Sequence, residues 1–272
     1  MKLALYQGPA QSGATEAGFA TIQTQLAAAA AAGAAMLVMP ELYLPGYNHP
    51  DHHRDLAQPR GGAWETRLAA MARDAGCGLT IGWAERDGGA VYNAATAFGA
   101  DGAVLGHYRK VQLFGPMERA SFQPGNGFCT FDLHGTRCAL LICYDIEHAA
   151  HVRALAEQGV TLFLVPTANP QGFEHVQRLS VPARAAEYNV TVAYANFCGD
   201  DAGLMFGGGS VIAGPLGTTL AQAGPHEAHL VTDVPSTEGV ANHILTNEPA
   251  YVGDPILAVA AVDEKTAEDA IA

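Results

Sequence analysis

Along this chain of 272 residues, segments with a strand-like pattern of hydrophobic positions alternate with segments that have a helical pattern. Short apolar runs of strand length are separated by longer, often Ala-rich stretches with helical spacing. Helices are predicted at 14–32, 64–75, 148–158 and 173–188, the last of them kinked or shortened by Pro182. Strands are predicted at 3–6, 35–39, 79–85, 92–98, 104–108, 128–133, 137–142, 161–165, 191–196, 209–213, 218–223 and 230–234.

The connections between these elements are of two kinds. Helices that lie between strands require parallel crossovers, whereas glycine-containing turns at 99–102, 134–136 and 214–217 indicate antiparallel hairpins. The pattern therefore predicts an α/β protein with a mixed sheet, or two sheets, whose outer faces are covered by helices. After Pro235 the pattern changes. We predict one domain over residues 1–234 and a C-terminal extension over 235–272 that packs on the body or on a partner subunit.

The composition of the chain argues against some classes of binding partner. The formal net charge is −13, and no run of Lys or Arg is present, which argues against nucleic acid and against an anionic membrane surface. No apolar stretch reaches membrane-spanning length, and the first residues resemble a strand rather than a signal peptide. The five cysteines form an odd set without C-x-x-C spacing. We therefore expect a cytoplasmic protein with free thiols.

A candidate nucleophile follows one of the apolar runs. Cys143 comes directly after Leu140-Leu141-Ile142, and a helical pattern begins within a few residues. An elbow between strand and helix would hold the thiol rigidly and leave backbone N–H groups free to bind negative charge. A buried structural cysteine is the alternative, and this stretch alone does not decide between the two.

Two further strand ends carry charged residues. Glu41 follows the predicted strand 35–39, and Lys110 follows the strand 104–108. In open α/β sheets ligands bind at the carboxyl ends of strands. Taken singly, each residue fits a solvated loop charge. Together with Cys143 they would supply a nucleophile, a general base and an oxyanion stabiliser for acyl transfer.

Pro40-Glu41, Tyr108-Arg109-Lys110 and Ile142-Cys143-Tyr144-Asp145 resemble, in order and spacing, the three signature segments of the nitrilase superfamily of carbon–nitrogen hydrolases. Further segments that resemble the family lie at 122–125, 165–169, 184–189, 194–196 and 209–212. Within the family, the segments 113–115, 143–147 and 166–169 are most similar to those of aliphatic amidases, especially the 5-aminopentanamidase-like branch.

The resemblance implies a four-layer α-β-β-α sandwich, a homodimer or higher homo-oligomer, and hydrolysis without metal or cofactor. It implies that Glu41 is the general base and that Lys110 and the backbone N–H of Tyr144 hold the oxyanion. Glu118 matches an additional acidic residue that orients Lys110 and the substrate. Pro116 departs from the acidic residue that many relatives carry, and a surface ion pair with Arg119 or another base is the alternative for Glu118.

The implied reaction is hydrolysis of a small carboxamide to acid and ammonia through a thioester on Cys143. The same site could attack a nitrile through a thioimidate, so a nitrilase or an N-carbamoyl amide hydrolase stays an alternative. A catalytically silent scaffold of the same fold is the alternative from another class. Ammonia release from a panel of amides and detection of an acyl adduct on Cys143 would separate these.

The substrate pocket is expected from loops at the strand ends. Tyr47 and Asn169 are the predicted substrate contacts, each weighed against a plain packing role. The wider set of pocket candidates is Asn48, Phe114, Asp145, Glu147, Phe173 and Phe197.

Three other features favour less specific interpretations. The segment 49–53 holds three histidines, but its spacing matches no known zinc pattern, so a solvated loop near the pocket mouth is expected. His148 and His151 are assigned to a helix surface or an interface rather than to a Cys–His pair. Gly207-Gly208-Gly209 lacks the Lys-Ser/Thr of a phosphate-binding loop.

Overall fold

The computed structural model describes residues 1–235, so the predicted C-terminal extension lies outside the described residues from position 236 onward. The helices are α1 (Thr15–Ala31), α2 (Pro50–Leu56), α3 (Ala63–Ala75), α4 (Gly115–Ser121), α5 (Ala149–Ala156) and α6 (Val181–Tyr188). The first strands are β1 (Lys2–Gln7), β2 (Met36–Val38), β3 (Gly78–Asp87), β4 (Ala90–Phe98), β5 (Val104–Arg109), β6 (Cys129–Leu133) and β7 (Thr136–Leu140). The remaining strands are β8 (Leu162–Pro166), β9 (Thr191–Ala195), β10 (Cys198–Asp201), β11 (Leu204–Gly207), β12 (Val211–Ala213), β13 (Thr219–Gln222) and β14 (Ala228–Asp233).

The fold contains two six-stranded sheets with the same arrangement of parallel and antiparallel strands. The first has the order β14-β1-β2-β3-β4-β5, and the second has the order β13-β12-β9-β8-β7-β6. In each sheet three central strands run parallel, β1-β2-β3 in one and β7-β8-β9 in the other. The flanking strands pair antiparallel. The three predicted hairpins are the antiparallel pairs β4-β5, β6-β7 and β12-β13, so they and the mixed α/β class are confirmed.

The sheets pack face to face, and helices cover their outer faces. Along β1 the side chains alternate, so Leu3 and Leu5 share a core with Leu140 and Leu164 of the second sheet. Ala4 and Tyr6 point the other way, into the core formed with α1 and α3. On the second sheet α5 and α6 contribute buried side chains to the core. The resulting layers are helix, sheet, sheet and helix, as the resemblance implies.

Three local predictions were wrong. The segment 49–53 is not a solvated loop, because Pro50 begins α2 at a position where its missing N–H is not needed, and His53 is buried. The predicted helix 173–188 is shorter: a π-helical turn at Val176–Ser180 precedes α6, and Pro182 lies in the first turn of α6. The strand that leads to Cys143 ends at Leu140 rather than at Ile142.

Besides α2, three further short elements were not predicted: helix α4 and the paired strands β10 and β11. None of the helices within residues 1–235 is long and apolar enough to cross a membrane.

Candidate active site

Glu41, Lys110 and Cys143 meet at one edge of the two facing sheets. Glu41 follows β2, Lys110 directly follows β5, and Cys143 follows β7. Both Glu41 and Lys110 are fully buried, and Cys143 is 7% exposed. Since two of these strands belong to one sheet and the third to the other, face-to-face packing brings the three residues together.

Lys110 lies between two carboxylates. Its Nζ donates to Oε1 of Glu41 at 2.6 Å and to Oε1 of Glu118 at 2.8 Å. Burial opposes the charge of this ammonium, but the two carboxylates outweigh it and raise the pKa of Lys110 above its ordinary value. An ammonium has three N–H donors, so one remains after these two bonds.

Glu118 reaches this site from α4 and is fully buried. Its Oε1 accepts from Lys110 and from the hydroxyl of Tyr47 at 2.7 Å. Its Oε2 accepts from the backbone N–H of Phe114 at 2.9 Å. The alternative of a surface ion pair with Arg119 does not fit this burial. Because both carboxylate oxygens are held by the protein, the geometry suits Glu118 to positioning rather than to proton transfer.

Glu41 differs from Glu118 in having one oxygen without a partner. Its Oε1 accepts from Lys110 and from Nδ2 of Asn93 at 2.6 Å. Its Oε2 is buried and accepts no hydrogen bond from any residue in the described range 1–235. Burial raises the pKa of Glu41 to about 7, with Lys110 opposing the shift. This carboxyl group can therefore exchange a proton near neutral pH.

Cys143 begins a 3₁₀ turn at Cys143–Glu147 with a backbone φ of +45°. A non-glycine residue in this left-handed region is strained, and such strain is frequent at functional sites. Burial, and next the negative charge of Glu41, raise the pKa of the Cys143 thiol well above its usual value, with Lys110 opposing. At rest the sulfur is therefore a neutral thiol that needs a base. The N–H of Tyr144 lies in the first turn, where the helix itself supplies no acceptor.

No hydrogen bond joins Sγ of Cys143 to Glu41 or Lys110 within residues 1–235. Their charges nevertheless act on its pKa, so the three groups lie within electrostatic range of one another. In substrate-free sites such hydrogen bonds are often long and tighten only when substrate binds.

Asp145 ties the nucleophile turn to the lysine segment. Its Oδ2 accepts from the backbone N–H of Ile142 and from the hydroxyl of Tyr108, both at 3.0 Å, and its Oδ1 accepts from the N–H of Gln112 at 2.8 Å. Tyr108 and Gln112 lie on either side of Lys110 in the sequence. Asp145 was a pocket candidate in the sequence, but its oxygens bond to the protein and link Cys143 to Lys110.

We expect Asp145→Asn to lose about 1–3 kcal/mol of unfolding free energy, because the new amide would place N–H groups against existing donors. Urea unfolding at pH 8, where the carboxylate is ionised, measures the loss. Asp132→Asn is the matched control, since the side chain of Asp132 is 68% exposed in a surface pair with Arg137. Equal midpoints for the two variants would contradict the structural role of Asp145.

The two predicted substrate contacts have protein partners. Tyr47 is nearly buried and donates to Glu118. Asn169 donates from Nδ2 to the carbonyl oxygen of Phe173 at 2.9 Å and to Oε1 of Gln177 at 2.8 Å, so both its amide hydrogens are used. Substrate contact by either residue stays a prediction.

The histidines outside the site have other partners. His49 contacts Asp201 at 2.7 Å, and His53 contacts the carbonyl oxygen of Gly46 at 2.7 Å. His148 packs its ring on Tyr144 and on His151. Among residues 1–235, no group of three or more His, Cys, Asp or Glu side chains is arranged to hold a metal ion.

Comparison with protein families agrees with this geometry. The family model described as "Carbon-nitrogen hydrolase" matches residues 2–239. The chain therefore belongs to the carbon–nitrogen hydrolase family and is an enzyme of that class.

Named relatives and solved structures are similar over most of the chain. A "Hydrolase in pqqF 5'region" from Pseudomonas protegens is 38% identical over 234 residues, which is 85% of this chain and 81% of that protein. An (R)-stereoselective amidase from Pseudomonas sp is 36% identical over 200 residues, 73% of this chain and 72% of that protein. An amidase from Nesterenkonia sp. AN1, solved with acrylamide added to its active-site cysteine, superposes with a TM-score of 0.82 at 36% identity, covering 86% of this chain and 93% of that chain.

Proposed function

We propose that the protein is an amidase that hydrolyses small carboxamides to the acid and ammonia through a thioester on Cys143. The observation that carries this proposal is the division of labour between two buried carboxylates around Lys110. Glu118 has both oxygens held by the protein, whereas Oε2 of Glu41 is free. An acyl-transfer site needs one base of this kind and one rigid ammonium.

In the proposed first half-reaction, Oε2 of Glu41 takes the thiol proton as Sγ of Cys143 attacks the amide carbon. The remaining N–H of Lys110 and the N–H of Tyr144 hold the oxyanion of the tetrahedral intermediate. Glu41 then gives its proton to the departing amine, and a thioester remains. The raised pKa of the thiol supports a concerted role for Glu41, since little thiolate exists before attack.

In the second half-reaction Glu41 takes a proton from water, which attacks the thioester carbon. The C–S bond then breaks, the acid is released, and Glu41 returns the proton to Sγ of Cys143. Glu118 acts throughout as a positioning residue that fixes Lys110, and Tyr47 supports it by donating to the same oxygen that Lys110 uses. This role explains why Glu118 is buried although it lies on a short helix near the surface loops.

The pH dependence follows from Glu41. A general base works when deprotonated, so kcat/KM is expected to fall on the acid side with a midpoint near pH 7, because burial raises the pKa of Glu41 to about 7. A pH profile from 5 to 9 with an uncharged amide measures this midpoint. An acid limb near the ordinary glutamate value would contradict the assignment of the base.

An ammonia-release screen tests the proposed function. The panel pairs small aliphatic amides, including branched and ω-amino ones, with nitriles and N-carbamoyl amino acids of the same chain length. We expect amides to give the highest kcat/KM, and Cys143→Ala serves as the blank. A higher kcat/KM for nitriles or for N-carbamoyl amino acids would contradict the amidase proposal and indicate a nitrilase or an N-carbamoyl amide hydrolase instead. Nitriles are included because a relative from Pyrococcus abyssi that is 35% identical to this chain is named a nitrilase.

Two predictions about the whole protein stay predictions. We propose that it assembles as a homodimer or higher homo-oligomer and works in the cytoplasm. Light scattering on the purified chain would measure the first.

A further inference from the structure

Asn93 is one of two buried polar residues in the mostly apolar strand β4, the other being Thr96, and it is fully buried. Side chains alternate along a strand, so Asn93 lies on the same face of β4 as Ala95 and Ala97. Both alanines belong to the core between the two sheets. A buried amide at such a position needs partners, and its partners are catalytic candidates.

Two hydrogen bonds connect Asn93 to the proposed machinery. Its Nδ2 donates to Oε1 of Glu41 at 2.6 Å. Its backbone carbonyl oxygen accepts from the backbone N–H of Lys110 at 2.8 Å, while its side-chain Oδ1 accepts no hydrogen bond within residues 1–235. The backbone of position 93 therefore holds the lysine segment, and the Asn93 side chain holds the carboxylate of the base.

The bond to Glu41 has a consequence for the orientation of the carboxylate. The last torsion of a glutamate side chain is broad and sets no orientation by itself. With Lys110 as the sole donor, the carboxylate could rotate and offer both oxygens to the ammonium. A second donor on Oε1, from a different direction, keeps that oxygen occupied and leaves Oε2 free.

We infer that Asn93 is a positioning residue that holds Glu41 with Oε2 available to Cys143 and to water. This inference rests on the proposed role of Glu41 as general base. Nothing in the sequence motifs around Glu41, Lys110 and Cys143 marks it. Asn93 is not a catalytic residue in the strict sense, because its amide hydrogen contacts the base and not the reacting atoms.

The same hydrogen bond affects proton affinity. A donor to a carboxylate favours its charged form, and Asn93 accordingly lowers the pKa of Glu41 against the larger effect of burial. Removing the donor should therefore move the acid limb of activity to higher pH. A residue that merely filled space in the core would not produce this shift.

The test compares Asn93→Leu and Asn93→Ala with the unmodified protein. Leucine has the same branched arrangement of side-chain heavy atoms and suits the apolar face, although its methyl groups are bulkier than the amide. Alanine is the second variant in case leucine overpacks the site. We expect kcat/KM to fall by about 10- to 100-fold, chiefly in kcat, since orientation of the base is lost. The acid midpoint of kcat/KM is expected to rise by about one pH unit, because the charged carboxylate loses a donor.

Thr96→Val is the matched control. Thr96 is also a buried polar residue of β4, but it bonds to Trp83 and His107 on the opposite face of the strand. Its valine variant should leave the acid midpoint where it is. Circular dichroism and thermal melts confirm folding of each variant before kinetics.

The Glu41→Gln variant distinguishes failure of the inference about Asn93 from failure of the proposed function. If Glu41→Gln loses activity while both Asn93 variants keep the normal midpoint and kcat, the inference about Asn93 is wrong and the proposed function stands. If Glu41→Gln itself keeps near-normal activity, the general base has been misassigned and the proposed function fails. A raised midpoint in the Asn93 variants, with Thr96→Val unchanged, supports the inference.

Discussion

Cys143→Ala is expected to lower kcat/KM for the best amide by about 10⁴-fold or more, because the variant cannot form the thioester and no other nucleophile replaces it. The loss should lie in kcat, with substrate still bound. Since a small side chain is removed from a nearly buried position, the stability should change by no more than about 1 kcal/mol. Single-turnover ammonia release and thermal unfolding measure the two effects.

A second cysteine variant controls for loss of a buried thiol in general. Cys138 is fully buried in β7, five residues before the nucleophile turn, and belongs to the core rather than to the site. Cys138→Ala should retain activity at a measurable cost in stability. Activity of Cys143→Ala within tenfold of the unmodified protein would mean that another group attacks the substrate.

Lys110→Met is expected to be damaging in two ways. Loss of an oxyanion donor should lower kcat/KM by about 10²- to 10³-fold. Loss of the ammonium also leaves the buried carboxylates of Glu41 and Glu118 without their cation, which should cost about 3–5 kcal/mol of unfolding free energy. Methionine preserves most of the side-chain volume, so neither effect comes from a large cavity.

The stability loss of Lys110→Met carries a pH signature. Burial already raises the pKa of Glu41, and without Lys110 it should rise further. A protein with a carboxyl group whose pKa is raised by folding becomes less stable as pH increases, because the folded state resists ionisation. The loss of unfolding free energy in Lys110→Met should therefore be larger at pH 8 than at pH 5. Urea unfolding at both pH values measures the difference. Lys2→Met, which removes a partly buried bond to the carbonyl oxygen of Ala32, is the control. A deficit that does not depend on pH would contradict the buried charge cluster.

The main features of the fold could be predicted because the strands are apolar and because α1 and α3, with 17 and 13 residues, are long enough to show a helical period. Parallel crossovers and glycine turns then limit the topology to mixed sheets. Glu41, Lys110 and Cys143 could be predicted as a group because each follows a strand, and strand ends meet at one edge of a packed sheet. The four-layer stacking came from the family resemblance rather than from periodicity.

Features that depend on tertiary contacts were beyond prediction. Helix α4 has seven residues, too few for a periodic signal, and Glu118 within it bonds back to the N–H of Phe114. The role of Asn93 depends on a hydrogen bond across 52 residues of sequence. A polar amide inside an apolar strand was the available signal, because buried amides require partners. The sequence placed Asp145 near the site, but it could not show which three groups donate hydrogen bonds to its carboxylate.

The most direct test of the account is to map an acyl group on the protein during turnover. An activated ester of the preferred acid should acylate Cys143 of the unmodified protein faster than water releases the acid, since a good leaving group speeds the first half-reaction and leaves hydrolysis of the thioester unchanged. Acid quenching and peptide mass spectrometry are then expected to find the acyl group on Cys143, removable by hydroxylamine and absent from Cys143→Ala. An acyl group on another residue, or none on Cys143 while the unmodified protein turns over the ester, would contradict the account.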